Sequence, residues 1–167
     1  MILILECVIG CLVFGTFIVL SVLKNKDMWI QEYPESVQRR YIELHPDTTI
    51  KEPEGLTPRV IGMKLGACIV FLMLLIGMVY LAGAKTFFQG VLYCYTIWFV
   101  VNAFDTLVLD LGLMVHWKKC RLPGTEDMDA EYKLLNKKSL LDGIAGCLIG
   151  IPIALLTGLA IFLICKY

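Results

Sequence analysis

Hydrophobic residues fall into four long blocks, and charge is nearly confined to the stretches between them. The block from Ile2 to Leu23 carries one ionisable acid or base, Glu6. The next, Val60 to Gly83, carries Lys64. The third, Thr86 to His116, carries Asp105, Asp110 and His116, and the fourth, Leu140 to Cys165, carries Asp142. A helix of ~22 residues is ~33 Å long, which matches the ~30 Å hydrocarbon layer of a bilayer. A water-soluble helix would interleave charge with apolar residues at its own period. The pattern predicts an all-α, multi-pass integral membrane protein with about four transmembrane helices, near 2–23, 60–83, 86–116 and 140–165. The whole chain, 1–167, is expected to form a single transmembrane domain with loops at 24–59 and 117–139.

Local signals mark how the blocks begin and what the loops contain. Thr57-Pro58 is a helix start, with threonine as cap and proline at the first helical position. Pro34 precedes a segment expected to be a short helix at 35–44. There Trp29, Ile30, Tyr33, Val37, Tyr41 and Leu44 recur at three- and four-residue steps. Two readings fit them: a helix lying in the membrane interface, or a loop packing its aromatics onto the helix ends. Residues 45–55 read as irregular, turn-rich chain. In the second long loop, Pro123-Gly124 marks a turn. Thr125 resembles a cap for a second short helix at 126–137, whose first-turn acids complement the helix dipole. Ser139-x-x-Asp142 resembles a capping box for the fourth span. Gly62-x-x-x-Gly66 and Gly146-x-x-x-Gly150 offer smooth surfaces for close helix approach.

Charge then suggests an orientation. Six lysines and arginines lie in loop 24–59 and six in loop 117–139, against Lys85 alone in the short connection and Lys166 at the end. Basic residues in short loops are retained in the cytoplasm, so both long loops are expected inside and both termini outside. A plasma membrane of the bacterial inner-membrane type is the expected location. Nothing at the start resembles a secretory leader, since a basic n-region and a cleavage site are both missing. The 15 basic and 15 acidic side chains balance, which leaves no positive field for nucleic acid. The seven cysteines are mostly in apolar stretches, and no C-x-x-C pair suggests a metal or redox site.

Candidate chemistry concentrates on the third block. Asn102, Asp105, Thr106 and Asp110 fall toward one side of a helix, and His116 extends that side toward the loop. A carboxylate in hydrocarbon costs ~3 kcal/mol on insertion scales, so two on one face call for partners or water. Lys64, one turn inside the second block, is the candidate partner of Asp110 at similar depth, or else a side chain that snorkels to the headgroups. Asp110 is eight residues from Lys118 and reads as closer to water than Asp105. Glu6 is expected to be wet, near the outer face.

Two classes of function follow. One is a transporter- or channel-like protein or an accessory subunit, using the polar face for ion coupling or assembly, in contact with membrane lipids and as a homo-oligomer or part of a larger complex. The other is a membrane-embedded enzyme acting on a lipid or lipid-linked substrate at the cytoplasmic interface, with Asp105, Asp110 and His116 converging there. His45 and His116 with the two aspartates make a conceivable hard-metal cluster. However, no H-E-x-x-H, G-x-S-x-G or comparable motif names a cofactor, metal or catalytic residue.

Overall fold

The computed structural model describes residues 1–47 and 57–166; residues 48–56, with Lys51, Pro53 and most of the turn-rich stretch, and Tyr167 lie outside the described residues. All regular structure among the described residues is helical. Helix α1 spans Ile2–Lys24, a 3₁₀ segment follows at Lys26–Glu32, and α2 spans Glu35–Leu44. Helix α3 spans Pro58–Leu81 and α4 Phe87–Phe104. Without a break, α4 widens into a π-helix over Asp105–Met114. A 3₁₀ turn at Lys118–Cys120, the single-turn α5 at Asp129–Tyr132 and the long α6 at Leu135–Lys166 complete the chain.

The helix starts have identifiable causes. The Thr57 hydroxyl accepts the Val60 N–H at 3.3 Å, with Pro58 at the first helical position. The α3–α4 turn closes on Gly83, whose φ of +93° suits a residue without Cβ. Thr86 caps α4, accepting the Gln89 N–H at 3.3 Å while the Gln89 side chain accepts the Lys85 N–H at 2.9 Å.

Among the described residues, four helices are long and apolar enough to cross a membrane: Ile2–Lys24, Pro58–Leu81, Phe87–Met114 and Asp129–Lys166, the last counted through the break before α6. Their exposed faces are apolar. Leu12, Val13, Phe17, Met63, Leu65, Leu148 and Leu156 all turn outward. Meanwhile Thr106, Ser139 and Thr157 are buried. Polar groups inside and leucines outside is the arrangement that lipid selects, because hydrocarbon cannot hydrogen-bond a buried amide or hydroxyl and does not expel leucine.

The chain divides into two compact units. The first comprises Met1–Gly10, Lys51–Val101 and Gly146–Tyr167. Its core gathers Cys7, Leu75, Val79, Cys94, Ile97, Ala154 and Ile161. Small residues bring α4 and α6 into contact there. A Cβ on Gly90 would stand 2.8 Å from the Gly158 Cα, and one on Gly158 would stand 2.8 Å from the Phe87 carbonyl oxygen. The Trp98 indole donates to the Gly146 carbonyl at 2.8 Å, and its ring fills the space that Gly150 leaves open.

The second unit comprises Cys11–Ile50 and Asn102–Ala145. Its core is a loop cluster of Ile30, Tyr33, Val37, Tyr41, Val115, Leu122, Tyr132 and Leu135. The Tyr33 and Tyr132 rings meet edge to face at 5.8 Å. The aromatics pack onto the other loop and onto Val115 and Leu135 at helix ends, and α2 buries Val37 and Tyr41 there. Leu44 remains exposed. The helix expected at 126–137 is reduced to one turn at Asp129–Tyr132 before α6 begins at Leu135. The reason is Thr125, which caps nothing. Its hydroxyl is buried, donating to the Leu122 carbonyl at 2.8 Å and lying 2.8 Å from the Tyr132 hydroxyl.

Candidate functional site

Of Asn102, Asp105, Thr106 and Asp110, all but Asp105 are directed at α6 within the second unit. Asn102 Nδ2 donates to the Gly143 carbonyl at 2.9 Å. Thr106, buried, stands against Gly143 so closely that a Cβ there would collide with its hydroxyl and methyl. The Ser139 side chain lies within hydrogen-bonding reach of Asp110. That contact corrects the capping-box reading. With α6 starting four residues earlier, at Leu135, Ser139 lies inside the helix and is free to bond across to α4. Asp142 is exposed.

Asp105 differs from its neighbours. It is half-buried, and no hydrogen bond or ion pair holds it among the described residues. It opens the π-helical segment. In a π-helix each N–H bonds to the carbonyl five residues back, so residues five apart stack along one side; on an α-helix five residues turn by about 140°. Asp105 and Asp110 are five apart, and the Asp105 carboxylate acts electrostatically on Asp110. The wide turn sets the two aspartates closer to one side than α-helical geometry would.

His116 does not join this group. His116 is exposed, beside a shallow apolar depression lined by Gly112, Leu113 and Trp117. Lys64 is exposed on α3 and enters no ion pair among the described residues, an arrangement that suits a side chain extended toward headgroups. His45 stacks on Tyr41 at 4.4 Å and stays at the end of α2. Among the described residues no three His, Cys, Asp or Glu side chains stand together as a ligand set. Glu6, expected wet, is buried instead, with Oε2 lacking a hydrogen-bond partner among the described residues.

The densest polar constellation surrounds a residue that the sequence presents only as one more loop cation. Arg121 is 4% exposed. Its Nη1 donates to the Glu126 carbonyl at 2.7 Å and to the Asp129 carboxylate, and its Nη2 donates to the Val115 carbonyl at 3.0 Å. The guanidinium carbon lies 4.6 Å from the centre of the Tyr132 ring. Around it the Tyr33 hydroxyl donates to the Cys120 carbonyl at 2.6 Å, Lys26 donates to the Arg121 carbonyl at 2.7 Å, and the Leu122 N–H donates to the Tyr132 hydroxyl at 3.0 Å. Burial, reinforced by Tyr132 and Cys120, pushes the Tyr33 phenol well above its usual range, and burial likewise raises the Cys120 thiol despite nearby Lys26. Both stay protonated, so the thiol is a poor nucleophile. The one signal in the sequence was the Pro123-Gly124 turn, which folds Asp129 back to Arg121; Gly124 has φ +81° and packs under Leu44.

No family model matches the chain, and neither a curated protein nor a solved structure does.

Proposed function

We propose that this chain is a small non-enzymatic membrane protein, a transporter-like or accessory subunit, in which Asp105 exchanges a proton or a cation within a larger assembly. The observation that carries this reading is the contrast along the third span. Asn102, Thr106 and Asp110 are engaged by α6, while Asp105 has no such partner. An unpartnered carboxyl at membrane depth is costly and is a functional candidate for that reason. The π-helical turn on which it lies supports the same reading, since such irregularities are frequent at functional positions. An enzyme reading would require His116 to converge with the aspartates, and the exposed position of His116 gives it no support. Asp105→Asn keeps the shape and hydrogen-bonding capacity but cannot ionise. The expected result is a folded, inserted protein at normal abundance that has lost its phenotype, with partial recovery in Asp105→Glu. Full function in the asparagine variant would refute the proposal.

The proposed setting is a plasma membrane with both long loops in the cytoplasm, as the distribution of lysine and arginine argues. Exposed positions make the best reporters, so Asp47→Cys and Asp127→Cys serve for the loops and Lys85→Cys for the short turn. In a background cleared of the exposed Cys68 and Cys165, a membrane-impermeant thiol reagent added to intact cells is expected to label position 85 alone. Labelling of 47 and 127 but not 85 would invert the orientation. We further propose that the protein assembles with copies of itself or with another membrane protein.

A further inference from the structure

We infer that the start of α6 is a binding site for the headgroup of an anionic phospholipid. An open groove of about 600 Å³ is lined by Lys133, Leu134, Asn136, Lys137, Lys138, Leu141 and Asp142. Lys138 is already paired with Glu32 at 2.8 Å. Lys133 and Lys137 are exposed and enter no ion pair among the described residues. Asp142 at the rim offsets one of the two charges, and the exposed Asp129 carboxylate, already hydrogen-bonded to Arg121, also faces Lys133. What remains complements a single negative charge, such as a phosphodiester, better than a polyphosphate.

The apolar lining selects a lipid over a free anion. Leu134 is 64% exposed and Leu141 58% exposed, and both stand beside the lysines. The groove occupies the first two turns of α6, immediately before the uninterrupted apolar run that begins after Asp142. A ligand with a phosphate at that level and hydrocarbon below it satisfies both halves of the groove. Each lysine close to an anionic membrane surface is worth about fivefold in affinity.

The test uses the full chain purified in nonionic detergent, with retained lipid counted by native mass spectrometry after addition of phosphatidylglycerol or phosphatidylcholine. Preferential retention of phosphatidylglycerol is expected, undiminished by millimolar inorganic phosphate. The Lys133→Gln/Lys137→Gln double variant should lower that retention by roughly an order of magnitude. A Lys118→Gln/Lys119→Gln variant, which removes two exposed loop charges outside the groove, should keep it. All four lysines are exposed, so the folded state is expected to survive, as checked by the thermal midpoint. Equal retention of the two lipids, equal loss in both double variants, or displacement of the lipid by inorganic phosphate would each overturn the assignment.

Discussion

Arg121→Ala is expected to unfold the loop cluster while leaving the spans inserted. The substitution strips donors from the Val115 and Glu126 carbonyls and removes the cation from the Tyr132 ring. Val115 caps the end of the π-helical segment, where a helix leaves carbonyls without intrahelical partners. Losing the partner of a buried carbonyl costs about 1–3 kcal/mol. The Asp129 side chain is 62% exposed, so the ion pair itself adds little. The total is about 3 kcal/mol or more, large against the roughly 5–15 kcal/mol stability of a domain. Rapid proteolytic cleavage between residues 26 and 44, with unchanged membrane extraction behaviour, is the readout. Arg121→Lys should not rescue it, because one ammonium cannot serve two carbonyls and a carboxylate that the planar fork reaches at once. Asp129→Asn should be mild by comparison. A protease-resistant Arg121→Ala protein would mean that the aromatic packing suffices.

The second large effect is expected at the α4–α6 crossing. Gly158→Leu places a side chain where Val91 and the Phe87 carbonyl now stand, and the obstacle is partly backbone, which does not rotate away. Overpacking of this kind costs about 3 kcal/mol or more where neighbours cannot yield. A lowered thermal midpoint and loss of the monodisperse species on size exclusion would report it. Gly66→Leu is the matched control: a Cβ at Gly66 meets nothing within 4 Å, so the same residue change within another apolar span should leave the midpoint unchanged. Equal damage from both would place the effect in helix propensity or insertion rather than in the crossing.

That contrast shows which features were legible beforehand. The four spans were readable because charge is excluded from them, and the bounds of α1 and α2 follow directly from Lys24 and from Pro34. The two glycine motifs looked alike, yet Gly150 is filled by Trp98 while Gly62 and Gly66 face open space. Spacing identifies a smooth surface but not its neighbour. The polar face of the third span was legible as a row of residues. The difference between Asp110 and Asp105 was not, because it depends on Ser139, whose local sequence also fits a cap. Arg121 was hidden among the loop cations. Nothing in Lys118-Lys119-Cys120-Arg121 distinguishes the one that turns inward, which is decided by a turn and a tyrosine eleven residues further on.

The loop cluster joins segments that leave the ribosome far apart in time. Tyr33 bonds to the Cys120 carbonyl across 87 residues of chain. At synthesis rates of 5–20 residues per second, the first loop waits about 4–17 s before its partner is made. Two further spans must enter the membrane during that interval. Tyr33, Val37 and Tyr41 meanwhile have no core to enter, so a nascent chain stalled before Tyr132 presents a sticky aromatic surface that chaperones or proteases can recognise, and the finished protein hides it.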